Sequence, residues 1–81
     1  MYYFYVLQSD VDIGYYYGST TNLKRRVAEH ARGKVTATSY RLPVKLVYYE
    51  AFLTISAARN REQQVKKSSS IRSALHKRIN S

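Results

Sequence analysis

Cysteine is absent from this sequence of 81 residues, and its absence excludes several classes of protein. Without cysteine there is no disulfide framework, no thiolate zinc site and no cysteine nucleophile. Long apolar runs are missing too, since no stretch approaches the roughly 20 residues of a transmembrane helix. The N-terminal segment lacks the basic lead and cleavage pattern of a signal peptide. We therefore expect an intracellular, cytoplasmic protein.

Acidic residues are scarce. The chain has 14 Lys and Arg against 5 Asp and Glu, which gives a formal net charge of +9. Such an excess predicts a polyanionic partner, with nucleic acid as the first candidate and an anionic membrane as a weaker one. The excess is concentrated in residues 59–81, which contain 7 basic residues and 1 acidic residue. We expect this segment to bind a phosphate backbone.

The length and the hydropathy pattern predict a single domain over residues 1–81 with an α+β fold. Strand patterns cover 2–8, 15–17 and 44–52, and helical patterns cover 22–32, 54–67 and 71–79. Gly18 follows the second strand and is interpreted as a turn residue. The order ββαβαα predicts a small three-stranded antiparallel sheet flanked by helices.

Glu62 is an exception to the apolar pattern of the second predicted helix. It falls on the same inward stripe as Ala58 and Val65. A buried carboxylate is costly unless it is paired or bound to a metal ion. The pattern leaves two interpretations open: a salt bridge to a neighbouring arginine such as Arg59 or Arg61, and a metal ligand.

Arg26 and His30 lie four residues apart, which places both on one face of the first predicted helix. Considered alone, such a pair is more typical of a half-exposed arginine and a surface histidine. The chain also has 9 tyrosines, most of which we expect to pack in the sheet. A tyrosine that acts as a base needs cationic neighbours to lower its pKa from about 10, and cations are abundant here. Together, such a base, an arginine and a carboxylate-held divalent ion meet the needs of phosphodiester cleavage.

Five segments, in order along the chain, resemble the GIY-YIG nuclease superfamily, and they look closest to its small single-domain bacterial members. The segments are residues 3–7, 16–18, 19–30, 42–50 and 57–67. Tyr5 stands at the tyrosine of the GIY strand, and Tyr16 stands at the first residue of the YIG motif. The family's Gly and Ile in the first motif are Tyr3 and Phe4 here, and the middle residue of the second is Tyr17. The family's fold agrees with the predicted sheet and helices.

The resemblance implies an endonuclease that hydrolyses phosphodiester bonds with the help of one Mg²⁺ or Mn²⁺ ion. Tyr5 and Tyr16 would line the site, one of them activating or positioning the attacking water. Arg26 would bind the scissile phosphate, and His30 would act in proton transfer. Glu62 would hold the metal ion, which takes few protein ligands when it is Mg²⁺.

The expected partner is nucleic acid, with DNA preferred over RNA and single-stranded or structured DNA preferred over long duplex. No organic cofactor and no membrane partner are expected. The basic residues predicted to bind nucleic acid are Lys24, Arg25, Lys66, Lys67 and Arg72.

Two other functions fit the same residues. A nucleic-acid-binding module without catalysis would explain the charge and the tyrosines equally well. A membrane-surface helix is a weaker alternative, based on the apolar stripe of Ile71, Leu75 and Ile79. Convergence of Arg26 and Glu62 in the fold would favour the nuclease over the binding module.

Overall fold

The computed structural model describes residues 1–81 and contains one three-stranded sheet with helices on both faces. The elements are β1 (Tyr2–Ser9), β2 (Tyr15–Thr20), α1 (Leu23–Ala31), β3 (Val44–Phe52), α2 (Ile55–Lys67) and α3 (Ser69–Ile79). The strand order is β2-β1-β3, and both pairings are antiparallel. The predicted α+β class and the order ββαβαα are confirmed.

Each helix begins after a residue whose side chain accepts a hydrogen bond from the first turn. The capping residues are Asn22 for α1, Thr54 for α2 and Ser68 for α3. These short polar side chains satisfy backbone N–H groups that have no partner inside the helix. At the other end of α1, Gly33 has a φ of 76°, the left-handed conformation that commonly ends a helix.

Strand β1 is buried on both of its faces because it is the central strand. Phe4 and Val6 pack with Val65 of α2 and Leu75 of α3 in the main apolar core. Tyr5 points to the opposite face, as alternation along a strand requires, and only 1% of its surface is exposed. The central strand therefore places a buried tyrosine under α1 while its other face anchors α2 and α3.

The apolar stripe of α3 faces this core. Leu75 is buried, and Ile71 and Ile79 pack against the same cluster. The membrane-surface interpretation of this helix is therefore wrong, since its apolar residues are already covered. None of the helices is sufficiently long and apolar to cross a membrane.

Gly18 does not form a turn, contrary to the prediction from sequence. It lies inside β2, where it pairs with Tyr5 of β1. A Cβ atom at this position would be 2.5 Å from both Cζ and Oη of Tyr5. Glycine is needed here because the tyrosine ring lies directly against the backbone of the neighbouring strand.

Gly18→Ala is expected to lower the free energy of unfolding by about 1–3 kcal/mol, the usual cost of overpacking a filled site. Urea unfolding of the two proteins measures the difference. Gly14→Ala is the matched control, because its Cβ would first meet the terminal Nη2 of the Arg41 side chain and not an aromatic ring. An equal loss in both variants would contradict the assigned role of the Tyr5 ring.

Candidate active site

A chain of hydrogen bonds links Tyr5, His30 and Thr38 in the buried interior. The Tyr5 hydroxyl lies 2.9 Å from Nε2 of His30, and Nδ1 of the same ring lies 2.8 Å from Oγ1 of Thr38. His30 and Thr38 have no exposed surface. Because both ring nitrogens of His30 are hydrogen-bonded, the imidazole has a fixed position on the inner face of α1.

The partner of Thr38 determines the direction of this chain. The Thr38 hydroxyl donates to the backbone oxygen of Val35 at 3.5 Å, so its own oxygen accepts from Nδ1–H of His30. Nε2 is then the acceptor for the Tyr5 hydroxyl. Burial lowers the pKa of His30, and the nearby Arg26 lowers it further. Both effects favour a neutral imidazole that can take a proton from Tyr5.

Burial raises the pKa of Tyr5 to about 12, although Arg26 opposes the rise. The lowering that a tyrosine base needs does not occur at Tyr5, because desolvation outweighs the guanidinium. Tyr5 is a protonated hydroxyl at neutral pH, bonded to His30. The Tyr16 ring lies on the same side, 5.1 Å from the His30 ring and 6.4 Å from the Tyr5 ring.

Arg26 of α1 is placed between Glu29 and the Tyr5 hydroxyl. Its Nη1 lies 3.1 Å from Oε1 of Glu29, and 37% of its side chain is exposed. Glu29, and after it Tyr5, raises the pKa of Arg26, so the guanidinium stays charged. The exposed part of the Arg26 side chain can donate hydrogen bonds to a phosphate oxygen beside Tyr5 and His30.

Glu62 of α2 reaches the same edge of the sheet from the other face. Its Oε1 accepts from the Ser19 hydroxyl at 2.6 Å, and its Oε2 lies 2.5 Å from Nζ of Lys66. Its side chain is only 15% exposed. The carboxylate also contributes to the raised pKa of Tyr5, which puts it within electrostatic reach of that hydroxyl.

The ionic partner of Glu62 differs from both arginines named at the sequence level. Arg61 bonds to Glu50 through Nε at 2.9 Å, and Glu62 pairs instead with Lys66, one helical turn later. Tyr5, Tyr16, Arg26 and His30 lie together on the α1 face of the sheet, and Glu62 lies at Ser19 of β2 on the other face. Arg26 and Glu62 are both near enough to Tyr5 to influence its pKa, as a nuclease site would require.

The residues around Glu62 fit a hard divalent cation with few protein ligands. No group of three or more His, Cys, Asp or Glu side chains is arranged to hold a metal ion. Glu62 is a carboxylate next to the Ser19 hydroxyl, and both are oxygen donors of the type that Mg²⁺ and Mn²⁺ prefer. Mg²⁺ usually retains several waters, so one carboxylate is chemically sufficient. Binding requires that Lys66 move away from the carboxylate.

The predicted nucleic-acid-binding residues occupy different environments. Lys24 and Arg25 are exposed on α1, and Lys67 is exposed at the end of α2. Lys66 is paired with Glu62, as described. Arg72 is partly committed to structure, since its Nη1 donates to the backbone oxygens of Val65 and Lys66 at 3.0 Å each.

Thr38 and Ser19 are candidate functional residues that the sequence did not indicate. Thr38 lies in the irregular segment between α1 and β3, where no periodicity predicts which side chains turn inward. Ser19 belongs to β2 and binds Glu62. In both cases the hydroxyl positions an ionisable side chain that the sequence did identify.

Thr38→Val is expected to slow nucleic-acid cleavage by about 10- to 100-fold, a part of what a positioned general base contributes. The shape is kept, but Nδ1 of His30 loses the acceptor that fixes its tautomer. The rate is measured against pH for the wild type and the variant. In the wild type it should fall as the pH drops through the lowered pKa of His30, because protonated Nε2 accepts no proton.

Thr38→Ser is the control for this prediction because it keeps the hydroxyl. Near wild-type rates in Thr38→Ser, combined with the loss in Thr38→Val, would support the positioning role. Equal rates in Thr38→Val and the wild type would contradict it.

Comparison with known proteins shows which family this chain resembles. A family model described as the GIY-YIG catalytic domain matches residues 1–74. UPF0213 proteins of Streptococcus pyogenes serotypes M3 and M1 are each 50% identical over 66 residues, which is 80% of this chain and 71% of theirs. A UPF0213 protein of serotype M5 is 48% identical over the same length. No solved structure matches the chain.

Proposed function

Since this chain belongs to the GIY-YIG catalytic-domain family, whose domain indicates endonuclease activity in general, we propose that it is a metal-dependent endonuclease acting on DNA. The proposal treats residues 1–81 as one nuclease domain with Mg²⁺ or Mn²⁺ as its cofactor. The observation that carries it is the buried chain from Tyr5 through His30 to Thr38, flanked by Arg26 and Glu62.

The proposed proton path runs from water to the imidazole. As an attacking water approaches the phosphorus, its proton passes to the Tyr5 oxygen while the Tyr5 proton passes to Nε2 of His30. The raised pKa of Tyr5 suits such a relay, since the phenol gives up its proton only as it gains another. Hydroxide forms the new P–O bond, the P–O bond to the leaving oxygen breaks, and that oxygen takes a proton from solvent.

Arg26 and Glu62 have separate tasks in this reaction. The Arg26 guanidinium binds the non-bridging oxygens of the phosphate, on which negative charge develops. Glu62 holds the divalent ion, which supplies charge neutralisation at the phosphate when it is bound. Tyr16, beside His30, packs against the relay and helps to position the water.

A preference for single-stranded or structured DNA follows from the aromatic character of β2. Tyr15, Tyr16 and Tyr17 are consecutive and only partly buried at the edge of the sheet. Aromatic faces stack on unpaired bases, which are inaccessible in an intact duplex. The exposed cations Lys24, Arg25 and Lys67 supply phosphate contacts around the site.

The test is cleavage of labelled oligonucleotides in single-stranded, hairpin and duplex form. Each is incubated with Mg²⁺, with Mn²⁺ and with EDTA, and the products are separated by length. We expect internal cleavage with either metal ion, faster on single strands and hairpins, and none with EDTA. Binding without cleavage of any substrate would favour the non-catalytic binding module instead.

A further inference from the structure

A polar cleft of about 420 Å³ runs along α3, outside the site already described. Its lining residues are all hydrogen-bonding side chains: Ser69, Arg72, Ser73, His76, Lys77 and Asn80. They follow the i, i+3, i+4 spacing of a helix and so form one face of α3, about 16 Å long.

The cleft is cationic because nothing in α3 neutralises its basic residues. The helix contains no acidic residue, and neither Arg72 nor Lys77 takes part in an ion pair. Glu62 is the last acid in the chain, and Lys66 pairs with it. A cleft with two unpaired cations and no acid attracts a polyanion.

Arg72 is pre-oriented for an anion by its bonds to the end of α2. Its Nη1 donates to the carbonyl oxygens of Val65 and Lys66, which fixes the plane of the guanidinium. The donors on Nε and Nη2 are left for another acceptor, and a phosphate can take them in pairs.

Two of the lining residues, His76 and Asn80, contact tyrosines of β2. The His76 ring stacks on Tyr15 with centroids 4.4 Å apart, and its Nε2 lies 2.6 Å from the Tyr17 hydroxyl. Asn80 donates to the Tyr15 hydroxyl at 3.2 Å. Rigid rings beside cations are the combination found in grooves for single-stranded nucleic acid.

Strand β2 connects this cleft to the candidate active site. Tyr15, Tyr17 and Ser19 alternate along the strand and so point to the same face. Tyr15 and Tyr17 contact His76, whereas Ser19 binds Glu62. Along β2, Ser19 is two residues from Tyr17 and four from Tyr15, which is about 7 and 13 Å of strand.

We propose that the α3 cleft binds the backbone of a single-stranded segment of the same nucleic acid whose scissile phosphate lies between Arg26 and Glu62. This inference rests on the proposed function, and it adds the path of the substrate. The segment leaves the active site along the edge of β2, places its phosphates against Arg72 and Lys77, and packs bases against Tyr15 and His76.

The test compares two adjacent, exposed positions on different faces of α3, about 100° apart. Ser73→Glu introduces a negative charge into the cleft, whereas Ala74→Glu introduces the same charge into the groove beside Arg61 and Arg78. Fluorescence anisotropy in EDTA measures the Kd of labelled oligothymidylates, with circular dichroism as the check of folding. We expect a Kd about tenfold higher for a 12-mer in Ser73→Glu and less than about twofold higher in Ala74→Glu.

A second pair of variants tests the phosphate contact itself. Lys77→Gln removes a charge from the cleft, and Arg78→Gln removes one from the other side of the helix. Losing one phosphate contact reduces the slope of log Kd against log salt by about 0.7 for a single strand. We expect this reduction in Lys77→Gln alone.

Oligonucleotide length and form supply the remaining controls. A 4-mer is too short to span the active site and the cleft, at 3.4 Å per stacked nucleotide, so its Kd should respond less to Ser73→Glu than that of the 12-mer. Equal effects of Ser73→Glu and Ala74→Glu would overturn the proposal, as would an equal effect on duplex and single strand. These measurements need no cleavage. A protein that shows the expected binding pattern but cleaves no substrate would therefore refute the proposed nuclease activity and not the proposed α3 cleft.

Discussion

Arg26→Ala is expected to lower the kcat of DNA cleavage by a factor of about 10²–10³, the loss typical of removing one donor to a developing oxyanion. The guanidinium lies beside Tyr5 and His30, and its hydrogen bond to Glu29 raises its pKa, so it stays charged. Without it, the negative charge that builds on the phosphate oxygens has no fixed cation on the α1 side. Single-turnover cleavage of a labelled single strand at saturating metal ion measures the change.

Two further variants separate this role from the ion pair of Arg26 with Glu29. Glu29→Gln breaks the pair but leaves the guanidinium, so its kcat should stay within about tenfold of the wild type. Arg26→Lys keeps a charge but loses the planar donor pair, and we expect an intermediate rate. If Glu29→Gln were as slow as Arg26→Ala, the ion pair rather than the phosphate contact would explain the loss.

Glu62→Gln is expected to have the largest effect, a loss of about 10³-fold or more, since metal-assisted charge neutralisation supplies several kcal/mol. The amide can still accept from the Ser19 hydroxyl, so the fold around β2 is preserved. It carries no charge to hold a divalent ion. Cleavage rate is measured over a range of Mn²⁺ concentrations, and Mn²⁺ binding is followed separately by calorimetry.

Lys66→Gln is the matched control because it breaks the same ion pair from the other side. The carboxylate remains and no longer has Lys66 as a competitor for the metal ion. We expect half-maximal cleavage at a lower metal concentration than in the wild type. Equal inactivity of Glu62→Gln and Lys66→Gln would contradict a metal-binding role for Glu62.

Much of the fold could be predicted because its local signals agree with one another. Strand β3 has the bounds that the apolar and aromatic pattern of residues 44–52 predicts, and Thr54 caps α2 as its position suggests. The position of Glu62 on an apolar stripe correctly indicated an inward carboxylate. Each of these signals depends on residues within a few positions of each other.

The features that sequence could not provide depend on contacts between distant segments. The residues around Gly18 predict a turn, but glycine is required there because the ring of Tyr5 lies against it on the neighbouring strand. Thr38 is one of several threonines and serines in an irregular segment, and only the fold brings it to His30. The abundance of cations gives no measure of burial, and the pKa of Tyr5 rises because the ring is buried.

The placement of Glu62 and Arg26 on helices that cover opposite faces of the sheet divides the site into two halves. The α1 half contains the proposed proton relay and the proposed phosphate-binding arginine, and the α2 half contains the proposed metal ligand. Only β1 and β2 join them, through Tyr5, Gly18 and Ser19. Substitutions on one helix therefore act first on metal affinity or on proton transfer, whereas changes in these two strands alter the alignment between the halves.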